Sequence, residues 1–468
     1  MEEKSVDVAI IGSGSAGLYA LSQVRRSDKS FVLINGGEPG TTCARVGCMP
    51  SKAMIQVAED IHRRMVYNRY GIAGHEDIRI DLPEAMEYVR DLRDTFVDRV
   101  LSSSTDELGD EFIEGYARFL EPDLLDVEGR RIRASRIVIA TGSSPVVPEE
   151  WRGFGERIVT TDTLFEQEAL PEAMAVVGLG VIGLEMGQSL HRMGIEVTGI
   201  DAFEGIGGLQ DPEVSKAAVD ALGKEFPIWL GHVPEIHEDG GRLRVTAGEQ
   251  TVLVDKVLCS IGRRPNVDNL GLENIGVELD ERGIPVHNRA TMQVGNHPIF
   301  IAGDVTGERM VLHEAGDEGR IAGYNAVHEA VAAFKRKVPM TINFCDPNIC
   351  TVGMRWSELD QESTAVGEMM FGPVGRALIM AKNKGLLRVY ADRRTGRLLG
   401  AEMVAPKGEN LAHLLTWAIQ QGLTVGDLLR MPFYHPVIEE ALQAALNDLY
   451  RKVDAKNAGG ITELERLG

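Results

Sequence analysis

The chain has 468 residues, in which 49 Lys and Arg face 70 Asp and Glu; the formal charge of -21 repels polyanions and excludes nucleic acid as an expected partner. Its length corresponds to roughly three domains, and 44 % hydrophobic with 25 % charged residues is the composition of an ordinary soluble globular protein. The 52 glycines exceed the usual share of about 7 %, a sign of turns that approach ligands closely.

Met1 to Val6 is polar and acidic, without the basic and apolar regions of a signal peptide, and no stretch approaches about 18 uninterrupted apolar residues. A cytoplasmic protein with no membrane partner is expected. Val6 to Ile11 is a short apolar run of buried-strand type, and Gly12-Ser-Gly14-Ser-Ala-Gly17 follows it into a helical pattern through Val24. Phe31 to Ile34 predicts the next parallel strand. An amphipathic stretch, Leu82 to Leu108, and an apolar strand, Ile137 to Ala140, come next, the strand stopping at Thr141-Gly142-Ser143. The first arrangement then recurs: Ala175 to Val177, Gly178-Leu-Gly180-Val-Ile-Gly183, a helix to Met193, and a strand from Glu196 to Ile200 that ends at Asp201. Val254 to Ser260 precedes Ile261-Gly262-Arg263-Arg264-Pro265, and Ile299 to Ala302 precedes Gly303-Asp304. From Asn343 strand-like segments (Leu386 to Tyr390, Leu398 to Val404) are followed by helical ones (Leu411 to Gln421, Val437 to Lys452), which predicts a separate α+β domain. The polar stretch Asp454 to Gly468 is expected to be loosely held. The fold class expected is α/β: two Rossmann-type dinucleotide-binding domains plus a C-terminal α+β domain.

One G-x-G-x-x-G match is weak evidence, since glycine triplets also occur in ordinary tight turns. Two copies, each following a strand and opening a helix, point to two bound dinucleotides. The first Gly makes the turn, the second admits a pyrophosphate, and the third lets helix pack on strand. The helix N-terminus then offers N–H groups and partial positive charge to the phosphates. Two dinucleotides in one chain imply electrons passing between them. The acid that normally bonds the adenosine ribose stands at the end of the second strand of each unit. In the second copy it is Asp201, and Ala202-Phe203-Glu204 brings no positive charge, so a 2'-phosphate would meet two carboxylates and NAD is expected over NADP. In the first copy the position holds Asn35, a neutral amide that forms no charge-assisted bond.

Five cysteines, an odd number in a long chain, argue against a secreted disulfide framework. Two are neighbours in Thr42-Cys43-Ala-Arg-Val-Gly47-Cys48-Met-Pro50-Ser-Lys52. No second ligand pair accompanies them, so zinc is the weaker reading and no metal is expected. Five residues of regular helix rise about 7.5 Å, beyond the roughly 6.8 Å limit between bridged Cα atoms. A disulfide therefore requires an irregular turn, which Gly47 eases. A thiolate at a helix N-terminus is stabilised by backbone dipoles, and Arg45 or Lys52 can add to that. Two small buried residues are the bland alternative; adjacency to a dinucleotide turn favours a redox pair. Cys259, Cys345 and Cys350 read as core residues.

The two glycine turns, the C-x4-C followed by Met-Pro-Ser-Lys52, Ala140-Thr141-Gly142, Ile261-Gly-Arg-Arg-Pro265, Ala302-Gly-Asp304 and the late His435-Pro436 together resemble the flavoprotein disulfide reductases. The match runs from Val6 to Lys452 in order, and within the family it is most similar to the dihydrolipoamide dehydrogenases. The resemblance implies an FAD-binding domain (1–148), an NAD-binding domain (149–271), a central domain completing the FAD site (272–342) and a dimerisation domain (343–468). It makes Cys43 the interchange thiol and Cys48 the thiol facing the flavin, places Lys52 beside the flavin with Glu185 as its partner, and aims Asp304 at the ribityl chain. Gly115, Thr141, Gly142, Met310 and His313 resemble further flavin contacts, and Gly262 a nicotinamide-side one. His435, held before Pro436 and oriented by Glu440, resembles the family's acid–base dyad, which acts on the other subunit's thiols and so implies a homodimer. The implied activity is NAD-linked oxidation of a dihydrolipoyl group, carried by a lipoyl-bearing protein or free dihydrolipoamide.

Two positions depart from the family pattern: Asn35 stands for an acid and Thr41 for a Gly. Rival activities fit less well. A glutathione or trypanothione reductase prefers NADPH, against Asp201; mercuric reductase and the large thioredoxin reductases want a C-terminal thiol pair, and no Cys follows Cys350. An NADH oxidase without a dithiol, or a redox-silent binding subunit, leaves the joint presence of Cys43, Cys48, His435 and Glu440 unused.

Overall fold

The computed structural model describes residues 3–456 together with Leu464. The first two residues, and most of the tail expected to be loosely held, lie outside the described residues. The chain opens with β1 (Glu3–Ile11), α1 (Ser15–Val24) and β2 (Phe31–Asn35), then α2 (Thr42–Arg45), α3 (Cys48–Arg63) and α4 (Leu82–Ser102). Four further strands, β3 (Phe112–Glu114), β4 (Ala117–Glu121), β5 (Leu124–Val127) and β6 (Arg130–Ile139), complete a sheet of order β3-β2-β1-β6-β5-β4. Val8 to Ile11 and Val32 to Ile34 are buried without alternation, because parallel strands in a doubly covered sheet have no solvent face.

After the short β7 (Ser143–Pro145), the second unit comprises β8 (Ile158–Val159), α5 (Thr161–Leu164), β9 (Ala173–Val177), α6 (Val181–Arg192), β10 (Glu196–Ile200), α7 (Pro212–Leu222) and β11 (Ile228–Trp229). An antiparallel β12 (Glu235–Asp239), β13 (Arg242–Ala247) and β14 (Gln250–Val254) forms a flap before β15 (Lys256–Cys259). The parallel sheet has the order β11-β10-β9-β15-β8. β16 (Arg263–Pro265) pairs antiparallel with β7 and so clamps the two units together at the exits of their sheets.

The next strand, β17 (Ile299–Ile301), returns to the first sheet parallel to β6, Ile299 opposite Ile137. α8 (Leu312–Val327) then packs along α1, closely enough that a methyl at Gly319 would lie 2.2 Å from the Ala16 carbonyl oxygen. The C-terminal sheet starts at Met340, earlier than the Asn343 expected: β18 (Met340–Asn343), β19 (Asn348–Gly353), β20 (Thr364–Met370), α9 (Gly375–Ile379), β21 (Leu386–Asp392) and β22 (Leu398–Ala405), in the antiparallel order β18-β19-β22-β21-β20. α10 (Gly408–Gln420), α11 (Val425–Leu429) and α12 (Glu440–Lys452) complete it. One apolar core, including Met54 of α3, Met86 of α4, Leu184 and Met186 of α6, Ile349 and Val404, joins the thiol-bearing helix to the second unit and the C-terminal sheet. Truncating Met54, fully buried there, would cost about 2–5 kcal/mol. Among the described residues no helix is long and apolar enough to cross a membrane.

Candidate active site

The two glycine turns have the same geometry. A methyl at Gly12 would come within 2.3 Å of the Ala140 carbonyl oxygen and one at Gly17 within 1.8 Å of the Gly12 carbonyl oxygen, whereas one at Gly14 would meet nothing within 4 Å. The counterparts are 2.5 Å from Gly178 to the Ser260 oxygen, 1.8 Å from Gly183 to the Gly178 oxygen, and open space at Gly180. In each turn two glycines are forced by close backbone approach and the middle one leaves room for a ligand, the cradle a pyrophosphate needs at a helix N-terminus. Asp201 and Asn35 occupy equivalent places. The Leu179 N–H donates to Asp201 Oδ2 at 2.5 Å and the Phe203 N–H to Oδ1 at 2.9 Å. The Ser13 N–H donates to Asn35 Oδ1 at 3.4 Å, and Asn35 Nδ2 donates to the Gly37 carbonyl at 2.9 Å. Asn35 thus keeps the position and loses the charge.

The break between α2 and α3 solves the spacing problem of the cysteines. Thr41 is buried and caps α2, its Oγ1 accepting the Ala44 N–H at 3.2 Å, so the departure at this position has a local use. Val46 and Gly47 leave helical geometry, and a methyl on Gly47 would lie 2.8 Å from the Thr42 carbonyl oxygen. The chain turns there, α3 restarts at Cys48, and the Cys43 and Cys48 side chains are coupled by a hydrogen bond between them. That bond, opposed by burial and helped by the Lys52 charge, brings the Cys48 thiol down to about 7. The same bond, with burial, pushes the Cys43 thiol well above its ordinary range. The first proton lost from the pair therefore leaves a thiolate at the N-terminus of a long helix.

One turn along α3, Lys52 Nζ donates to Glu185 Oε2 at 2.8 Å and lies 4.7 Å from the Phe344 ring centroid. Glu185, with 3 % of its side chain exposed, also accepts the Phe344 N–H at 2.9 Å. A carboxylate this buried needs both partners. Asp304 Oδ2 accepts the Ser143 hydroxyl at 2.8 Å, and Arg263 donates to Ser143 Oγ and to its carbonyl at 2.8 and 2.7 Å. Thr141 Oγ1 donates to the Asn266 carbonyl at 2.7 Å. Gly142 and Gly262, at φ of 70° and 122°, both face open space. Gly115, at φ of 141°, donates its N–H to the Asn35 carbonyl at 2.9 Å. Met310 is half-buried just before α8, and His313 lies in its first turn, its side chain partly open to solvent, with desolvation lowering its pKa. The glycine turns, Lys52 and Asp304 are residues that could hold an extended dinucleotide. Sequence reasoning missed Ser143, Phe344, and the buried Glu318 that accepts the Gly303 N–H at 2.8 Å; no local pattern distinguishes them from surface or core residues.

His435 and Glu440 meet as expected: His435 Nδ1 lies 2.8 Å from Glu440 Oε1, and the Val437 N–H donates to Oε2 at 3.1 Å. The His435 bond first, then the Val437 amide, hold the Glu440 carboxyl below its ordinary range. Glu440 is the first residue of α12 rather than an interior one, since residues from Val437 to Glu439 form the turn that brings its carboxylate back to His435. The dyad stands apart from the thiols: 81 % of the His435 side chain is exposed, and no hydrogen bond or ion pair among the described residues joins it to either cysteine. No cluster of three or more His, Cys, Asp or Glu suited to a metal occurs among the described residues.

The chain matches the family described as pyridine nucleotide-disulphide oxidoreductase over residues 6–319, and that family's dimerisation domain over residues 338–446. A dihydrolipoyl dehydrogenase of Thermus scotoductus is 31 % identical over 463 residues, covering 96 % of this chain and 98 % of the relative. A mercuric reductase of Staphylococcus aureus is 30 % identical over 435 residues, 90 % of this chain and 78 % of the relative. In fold, the chain is similar to the HOCl-induced flavoprotein disulfide reductase RclA from Escherichia coli, solved as a Cu(II) complex, at TM-score 0.82 and 23 % identity, over 96 % of this chain and 99 % of that one.

Proposed function

Because the chain belongs to the pyridine nucleotide-disulphide oxidoreductases, flavoenzymes that bind FAD and use NAD(P)H, we propose that it is a homodimeric, NAD-linked dihydrolipoyl dehydrogenase. In this reading residues 1–148 hold FAD, 149–271 hold NAD, 272–342 complete the FAD site and 343–468 dimerise. The observation that carries it is the placing of Cys43 and Cys48 on the two sides of the broken turn that opens α3, coupled to each other and beside the Lys52–Glu185 pair.

A dihydrolipoyl thiolate attacks Cys43 of the oxidised Cys43–Cys48 disulfide, forming a mixed disulfide and releasing Cys48 as thiolate. The second substrate sulfur attacks the first, closes the lipoyl disulfide and releases Cys43. His435 of the opposite subunit takes the substrate thiol proton, and Glu440 supports the imidazolium through the 2.8 Å bond. Bound FAD supplies the two-electron path from Cys48 thiolate to the nicotinamide. Lys52, compensated by Glu185, steadies negative charge at that end of the site. Asp201 and Glu204 at the second turn favour NAD over NADP. Exposed Trp417, Met431 and Tyr434 on the C-terminal domain supply apolar surface for a second subunit.

Steady-state rates with dihydrolipoamide and NAD, with dihydrolipoamide and NADP, and with glutathione disulfide and NADPH test this. The first pair is expected to dominate. Faster glutathione turnover with NADPH would move the assignment to a glutathione-type reductase.

A further inference from the structure

A second buried charge cluster is bonded to the Gly303–Asp304 turn. Glu318 of α8, with 3 % of its side chain exposed, gives Oε2 to the Gly303 N–H at 2.8 Å and Oε1 to Arg336 Nη2 at 3.0 Å. The same Arg336 nitrogen bonds Glu314, also buried, which pairs on its other oxygen with Arg309 at 3.2 Å. Gly303 has little freedom to move: its φ is 85° and a methyl there would lie 2.7 Å from the Ala16 side chain. The Glu318 bond is thus the tether on the N–H of Gly303, the residue that presents Asp304; the Gly303 carbonyl accepts the Thr306 N–H and hydroxyl.

Arg336 belongs to neither helix nor sheet. It lies in the segment from His328 to Pro339 that leads from α8 to β18. That segment is tied down on both sides. Asn325, fully buried, donates to the Ala332 and Thr291 carbonyls at 2.9 Å and accepts the Ala332 N–H at 2.8 Å. The Val338 N–H donates to Gln420 Oε1 of α10 at 2.7 Å. Two carboxylates this buried are tolerable only with their guanidinium in place; with Arg336 displaced, Glu318 would take up a proton, in keeping with a carboxyl that burial already raises to about 7.

We propose that Arg336 is a positioning residue that acts through Glu318 on the Gly303–Asp304 turn, so that the connection into the dimerisation domain helps to hold the flavin. It rests on Asp304 as a flavin-holding residue. The test is release of FAD from the folded, dimeric holoenzyme, followed by recovery of free-flavin fluorescence after dilution, in wild type, Arg336→Met, Arg336→Lys, Glu318→Gln, Glu314→Gln and Asp304→Ala. Release is expected to be at least tenfold faster in Arg336→Met, to return to within threefold of wild type in Arg336→Lys, and to respond more to Glu318→Gln than to Glu314→Gln, since Glu318 bonds Gly303. Should Arg336→Met not fold, the near-isosteric Glu318→Gln decides alone. Fast release in Asp304→Ala with wild-type release in the Arg336 and Glu318 variants would overturn the inference and leave the site assignment standing. Unchanged release in Asp304→Ala would remove that assignment and the inference with it.

Discussion

The thiol pair and the His435–Glu440 dyad are built on opposite plans. The thiols are half-buried, coupled to each other, and supported by a helix N-terminus and by Lys52, itself paired with Glu185 of the same chain. Among the described residues the dyad is tied only to its own turn, and its His435 stands open to solvent. On the proposed function, electron handling is complete in one subunit, because a thiolate of lowered pKa needs a shielded, preorganised setting, and proton handling needs a second surface to bring substrate sulfur and imidazole together.

The strongest way to test this contrast is to break the pair. Cys43→Ser and Cys48→Ser should each lower dithiol turnover by on the order of 10⁴ or more while flavin absorbance of the purified protein is retained; a variant with near-normal rates would take the sulfurs out of the chemistry. His435→Ala should follow, with a loss of roughly 10² to 10⁴. Mixing and re-dimerising Cys43→Ser with His435→Ala sharpens the point, since each heterodimer would contain one intact site. Random pairing then restores about a quarter of wild-type activity, whereas a mixture as inactive as its parents would put thiols and dyad of one site in the same chain.

A smaller effect concerns the charges around Cys48. Alkylation of the reduced protein should be slow below about pH 7, where Cys48 keeps its proton, and rise above it as the thiolate forms. Lys52 favours the thiolate and Glu185 opposes it, so Lys52→Met should move the inflection to higher pH and Glu185→Gln to lower pH. Shifts of the same sign would contradict the arrangement. The smallest effect expected is at the first nucleotide turn: Asn35→Asp should change the FAD dissociation constant by about fivefold, roughly 1 kcal/mol, in the direction of tighter binding, measured by titrating apoprotein.

Much of this is legible in the amino-acid sequence, because certain chemistry constrains contiguous residues. A pyrophosphate cradle demands glycines at fixed offsets after a strand, so Gly12, Gly14, Gly17 and their counterparts marked two candidate nucleotide turns, and both have the geometry such a cradle needs. Cys43, Gly47, Cys48 and Lys52 lie within one short segment, and His435 and Glu440 within another, so each half of the site was readable by itself. The chain alone also signalled that a cysteine bridge would need a broken helix; the fold supplied the break, with Thr41 capping one side and Gly47 opening the other.

Only the folded chain decided what joins distant positions. The return of β17 to the first sheet, the Ser143–Asp304 bond, the Glu185 contact with Phe344 and the Arg336–Glu318–Gly303 chain link residues with no mutual spacing rule. Their partners are selected by burial: a charge removed from water must find whichever opposite group or N–H the packing brings near. Local sequence can say that Glu318 is a helical glutamate, but the need that makes it a tether arises only once α8, α1 and the turn at Gly303 have closed around it.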